Sequence, residues 1–434
     1  LNTLRIPCRF FRALVSAALL FAAGCGTGGL SGDADMASGS GSGGGGGPSG
    51  GGGSSDWTVS VVDTNGNAGS QNTLRIDPFG RPRVAYFAGA DPIFWIREAS
   101  FDGWTWDIET VYETDTPTGC TLAIDQAGQS FMAFVGGGRQ PLYYWPFQSD
   151  LLLASRSGGA WQWEPVDEAG VVGLWASVAF DRFGRAGISY QDLGNGIDYV
   201  DFHLRDLKFA QETADGWAVE TVEKDGGGYY TQLVFDEDGQ PAIAYCGNLD
   251  GDVQPVRFAR RGDSGWQFQT VDAVGKCSEA SLSLRATPAN GFGLAYYDDR
   301  FQDLKYASFF GGVWHLETVE AHNQVGKYCS LAYDADGQPV ISYYYCGRST
   351  DQDCQGGGDL RVARKTQTGW TVETVDSEGN TGLFTSLAFA PSGQAFIAYQ
   401  DKTLGALKIA VGREGAQTIR GLGPRRIAAA GRRG

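Results

Sequence analysis

Seven tryptophans divide most of this chain into units of one kind. They stand at Trp57, Trp106, Trp161, Trp217, Trp266, Trp314 and Trp370, 48 to 56 residues apart. Each opens a segment related to Trp-x-x-Glu-Thr-Val, clearest in Trp217–Val222 and Trp370–Val375. A unit of this size cannot bury its own apolar faces and must stack on its neighbours, so the repeat dictates the architecture.

Every Trp except the first follows a segment of the Leu-Lys-Tyr-Ala type, such as Leu304–Ala307 or Leu360–Ala363, through a short turn that usually holds Gly. That is a hairpin. Two more alternating segments precede it, one like Ser330–Asp334 and one like Ile243–Tyr245, usually joined by an Asp-x-x-Gly turn. Asp bonds its own backbone in such turns and Gly supplies the positive φ. Four antiparallel strands per unit predict an all-β fold, a seven-bladed β-propeller of four-stranded blades. The coils of a β-helix are shorter, and an array of sandwiches would not need such regular units. The phase of the repeat predicts how the ring closes. The chain enters on an orphan Trp strand, 57–62, and its last unit lacks a Trp. The first strand is therefore expected to complete the last blade by pairing with 406–411, which leaves no open edge.

The first 24 residues read as a signal, with Arg5, Arg9 and Arg12 ahead of a short apolar run that is too brief to span a membrane. The run ends at Ala22-Ala23-Gly24-Cys25, which resembles the lipobox of bacterial lipoproteins. The resemblance implies lipidation of Cys25 and attachment to the cell envelope, at the outer membrane, by lipid alone. Residues 25–56 are a Gly/Ser-rich tether, 57–412 the propeller, and 413–434 a basic tail with Arg420, Arg425, Arg426, Arg432 and Arg433. The formal charge of −16 argues against a nucleic-acid partner. A monomer is expected.

Function is expected where the repeat varies. The loops that enter the inner strands and those that follow the Ile-Ala-Tyr strands share one face, while the opposite face carries tight turns. On the loop face Asp192, Asp298 and Asp401 mark units three, five and seven, with Gln191 and Gln400 beside two of them. Trp175, Tyr230, Tyr328 and Phe384 recur at one position before the inner strand, and longer loops carry Tyr143, Trp145, Phe147, Tyr199, Asp201 and His203. Aromatic faces beside carboxylates and amides suit sugars, so carbohydrate binding is the leading expectation. The chain resembles lectin-like and sialidase-like propeller families, which implies a glycoside hydrolase as the rival. The turns before each Trp lack the full Asp-box pattern, and the sequence shows no arginine cluster of the sialidase kind. A platform for an envelope protein is the third reading.

No cofactor or metal is expected: His203, His315 and His322 lack ligand spacing, and the Asp-rich turns lack the Glu that closes a calcium loop. Export permits disulfides. Cys346 and Cys354 can close one loop, Cys246 and Cys277 can staple adjacent blades, and Cys120 and Cys329, far apart in the ring, are expected to stay free.

Overall fold

The computed structural model describes residues 56–412, less loop positions 91, 116–118, 137–148, 158, 195–204, 289, 322, 348–353 and 355–356. Its 28 strands form seven four-stranded antiparallel sheets. Six sheets are continuous in sequence, running from inner to outer strand across 70–114, 120–167, 172–223, 229–272, 277–320 and 325–376. The seventh takes 381–389, 395–401 and 406–412 and receives Trp57–Asp63 as its outer strand. The register runs from Trp57 opposite Gly412 to Asp63 opposite Leu407. The orphan strand closes the ring as its phase requires.

The core lies between blades rather than on the axis. One cluster joins Ala244 and Phe258 of blade four to Leu284, Phe292 and Leu294 of blade five. Period-2 alternation supplies both faces: each inner pair of strands buries residues on two sides, whereas the outer Trp strands bury few.

Two sets of hydrogen bonds tie neighbouring blades. Near the axis, inner-strand hydroxyls accept backbone N–H groups from the next blade: Ser386 from Leu74 (2.8 Å), Thr121 from Val178 (3.1 Å), Ser177 from Leu233 (3.0 Å), Ser283 from Leu331 (3.0 Å) and Ser330 from Leu387 (3.0 Å). These N–H groups have no ladder partner on the axial edge, and a buried unpaired donor is costly. At the rim, the indole N–H of five of the outer strands donates to the glutamate of the preceding one. Trp161 reaches Glu109, Trp217 reaches Glu164, Trp266 reaches Glu220, Trp370 reaches Glu317 and Trp57 reaches Glu373, all at 3.1–3.2 Å. Trp314 uses Gln269 at 3.0 Å. The repeated Trp-x-x-Glu is thus a latch between blades. At the closing junction Ser60 stands where the glutamate would be, opposite Trp106.

Cys246 and Cys277 form a disulfide between blades four and five, with Cα atoms 5.7 Å apart, and Cys346 and Cys354 form one within blade six. Cys120 and Cys329 are free and buried.

Candidate functional site

The inner strands of all seven blades surround a cavity of about 140 Å³ on the ring axis. That is far above the roughly 10–15 Å³ that one water needs. Three successive levels line it. Along the strands they run from Gln71, Gly119, Trp175, Tyr230, Tyr328 and Phe384 at the loop-face end, through Asn72, Cys120, Thr231, Cys329 and Thr385, to Arg75 and Arg285. Among the described residues, no Asp or Glu lines it.

The entry residues have an uncommon backbone. Gln71, Trp175, Tyr230, Tyr328 and Phe384 have φ of 47°, 56°, 54°, 55° and 52°, and in blade two Gly119 takes the same place with φ 105°. Each non-glycine lies in a register shift between the first two strands of its blade. A bulge re-aims its side chain, here to the mouth of the cavity. Glycine takes this conformation freely, whereas a bulky L-residue gives up roughly 1–2 kcal/mol. The next blade fixes the conformation by bonding the carbonyl of the bulged residue. Thr231 Oγ1 donates to Trp175 O (2.9 Å), Thr385 Oγ1 to Tyr328 O (3.3 Å) and Asn72 Nδ2 to Phe384 O (2.6 Å). Cys120 and Cys329 occupy the same place, their thiols turned to Gln71 O and Ser281 O. Burial pushes the Cys120 thiol up to about 12 and raises Cys329 as well.

The rings meet in two pairs across blade junctions. Trp175 and Tyr230 have centroids 4.3 Å apart, and Tyr328 and Phe384 4.4 Å. The second pair rests on Tyr344, Leu383 and the Cys346–Cys354 disulfide. Asn72 Oδ1 is buried without a hydrogen-bond partner.

Arg75 and Arg285 were not foreseen. The sequence suggested no arginine cluster, yet folding brings these two into one channel from blades one and five. The signal was present: both replace the small residue that follows the inner-strand Leu elsewhere, as at Ala123 and Ala388. Protein surrounds both side chains, although channel solvent touches them. Burial lowers Arg75 to about 9, with the charge of Arg285 adding to the effect. Burial likewise lowers Arg285 to about 10, opposed by Tyr333.

The three expected acids are placed elsewhere, inside their blades. Lys208 lies 2.8 Å from Asp192 and 3.6 Å from Asp167, Lys305 2.5 Å from Asp298 and 3.3 Å from Asp272, and Lys408 2.8 Å from Asp401 and 3.0 Å from Asp376. Tyr190, Tyr296 and Tyr399 donate their hydroxyls to Asp167, Asp272 and Asp376. In blades one, four and six an arginine pairs instead with one acid of the preceding blade: Arg97 with Asp63, Arg257 with Glu223 and Arg361 with Glu320. Asp192, Asp298 and Asp401 therefore appear in the sequence where lysine replaces arginine. They are 6%, 0% and 0% exposed and do not line the cavity. Burial alone would lower the three lysines, but the paired carboxylates outweigh it and raise them. Gln191 donates to Gly227 O and Gln400 to Ala68 O, both buried.

The Asp of the tight turns is occupied as well. Asp77 Oδ1 accepts N–H groups from Phe79 and Arg81, and Asp181 Oδ1 from Phe183 and Arg185. His315 stacks on Phe310 in an outer strand. Cys25, the signal, the tether, the tail, Tyr143, Trp145, Phe147, Tyr199, Asp201, His203 and His322 lie outside the described residues.

Fold and cavity together define a class, the seven-bladed β-propeller with an open axial cavity. No family model and no curated protein matches the sequence. Solved structures of similar fold include a protein of unknown function from Dyadobacter fermentans, at 12% identity and TM-score 0.49 over 82% of this chain and 99% of that one. The polysaccharide lyase Uly1 aligns at 9% identity and TM-score 0.48 over 81% and 90%. The NanB sialidase of Streptococcus pneumoniae aligns at 11% and 0.43 over 82% and 70%. At such identities the likeness concerns the fold alone.

Proposed function

We propose that this protein binds carbohydrate at the mouth of the axial cavity, on the platforms made by Trp175 with Tyr230 and by Tyr328 with Phe384. The observation that carries the reading is the backbone. Four aromatic side chains stand at bulge positions that glycine would occupy at lower cost, and each lines one cavity. Backbone strain of this kind is retained where a side chain must be aimed. The flat rings suit the C–H faces of a sugar, and Gln71, Gln232 and the unpartnered Asn72 Oδ1 can meet its hydroxyls. Binding is favoured over hydrolysis because glycoside cleavage usually needs two carboxyl groups about the bond, and no carboxylate is among the described lining residues. The reading includes attachment of the mature chain to the envelope through Cys25.

A broad glycan array probed with the mature chain tests the binding. Retention of one sugar class without turnover supports it; absence of binding to every sugar by a folded sample contradicts it. Mass spectrometry of the N-terminal peptide, with Cys25→Ser as control, tests the anchor: an acylated Cys25 is expected, and an unmodified one refutes attachment.

A further inference from the structure

Among the described residues, the two arginines of the channel have no counter-charge. Arg75 Nη1 donates to Leu74 O (3.0 Å) and Arg285 Nη1 to Leu284 O (2.8 Å), each a bond to its own strand. A guanidinium carries five N–H donors, so most of its capacity is left over. Among the described residues no carboxylate pairs with either, although the chain holds 50 acids against 34 lysines and arginines. The mid-strand arginines Arg97, Arg257 and Arg361 all have acids. The equivalent positions in the other blades are Ala123, Ala179, Val234, Ala332 and Ala388, small apolar residues that pack between blades. The charge of Arg285 adds to the lowering of Arg75, and both keep their charge at neutral pH. Two enclosed like charges without a partner are costly to a fold.

We propose that Arg75 and Arg285 form a binding site for a small oxyanion, a carboxylate, sulfate or phosphate group, inside the propeller channel. Guanidinium forks match the paired oxygens of such groups. The hydroxyl residues Thr73, Ser283 and Ser330 line the same cavity. Ser283 and Ser330 already accept a backbone N–H, so each hydroxyl proton can be donated to the anion. The site lies deeper than the aromatic mouth and does not require a sugar. A free anion could fill it, as could the acidic group of a ligand whose remainder lies at the mouth.

The test is calorimetric titration and thermal unfolding of the full chain at low ionic strength. Sulfate, phosphate, acetate and glucuronate are compared with glucose and with chloride at matched ionic strength. Saturable binding of at least one oxyanion is expected, with affinity reduced tenfold or more in Arg75→Met and Arg285→Met. Glucuronate binding while acetate and sulfate do not would identify an acidic sugar; binding of the inorganic ions would identify a free anion. Without oxyanion, each Met variant is expected to melt at or above the wild-type temperature, since one of two repelling charges is gone. Arg285→Lys, which keeps the charge and loses the fork, is expected to fold as wild type does and to bind oxyanions more weakly. The proposal is overturned if wild type and variants respond alike to every oxyanion beyond chloride, or if both Met variants are destabilised in its absence. Glucose binding that survives in Arg285→Met leaves the carbohydrate reading standing whatever the oxyanions do.

Discussion

Replacing Trp57 by Ala tests how the ring closes. Trp57 is 4% exposed, whereas the tryptophan at the same repeat position in blade three, Trp217, is half-buried. Its ring packs in a cluster with Val362, Val375, Leu387 and Ala395, and its N–H reaches Glu373. Truncating a buried Trp costs about 3–5 kcal/mol. For a domain of about 350 residues, an unfolding entropy of about 2.1 cal/mol/K per residue converts this to a drop of roughly 4–7 °C in Tm. Trp57→Phe, which removes mainly the indole hydrogen bond, should cost about 1–2 kcal/mol. Trp217→Ala should cost roughly half as much as Trp57→Ala, in proportion to the smaller area buried. Calorimetry of the three variants decides. A Trp57→Ala protein no less stable than Trp217→Ala would show that 57–63 does not complete blade seven, and the ring would need another closure.

Other perturbations have equally definite outcomes. Lys305→Met leaves Asp272 and Asp298 buried together and is expected to cost about 3–5 kcal/mol at neutral pH. Burial would raise Asp272, but hydrogen bonds from Val274 N and Tyr296 and the charge of Lys305 outweigh it and hold Asp272 below its ordinary value of 3.8. A depressed carboxyl stabilises the fold above 3.8 and ceases to do so as pH falls through its folded pKa. The gap between wild type and Lys305→Met should therefore narrow at acid pH, and a gap independent of pH would refute the ion cluster. Loss of the Cys246–Cys277 bridge, with sequence separation 31, should cost ~4 kcal/mol by chain entropy, against ~2.5 kcal/mol for Cys346–Cys354 with separation 8. Paired Cys→Ala variants compared by Tm check the order, and a reversed order would show that packing beneath Tyr328 and Phe384 outweighs the loop term. Cys120 and Cys329, buried with raised pKa, should react with a disulfide reagent at least tenfold more slowly in the native protein than in urea. Equal rates would place them at the surface.

The architecture was legible because it rests on periods. Alternation marks each strand, Gly and Asp mark each turn, and seven tryptophans count the blades, so even the closure by residues 57–63 could be read from the phase. Contacts between blades were not legible. The glutamate of Trp-x-x-Glu faces a tryptophan about 50 residues further on, and within one unit it reads only as an outward strand residue. The acids show the same difficulty. Asp192, Asp298 and Asp401 looked like variable loop-face groups, but each varies with the lysine or arginine on the strand beside it, which is a charge balance inside the blade. The aromatics could be singled out because they deviate together at one position. Arg75 and Arg285 were missed because each is a single departure from a small residue, and only the ring brings positions 75 and 285 together.

The central claim is that ligand recognition belongs to the cavity mouth and not to the buried acids. The most direct measurement is the affinity of the best glycan from an array for wild type, Trp175→Gly, Phe384→Gly and Asp192→Asn. Glycine keeps the left-handed backbone at positions 175 and 384, so only the ring is lost. Both glycine variants are expected to bind at least tenfold more weakly, about 1.4 kcal/mol or more. Asp192→Asn is expected to bind as wild type does while melting at a lower temperature. Unchanged affinity in the glycine variants together with loss in Asp192→Asn would contradict the claim and return the site to the carboxylates.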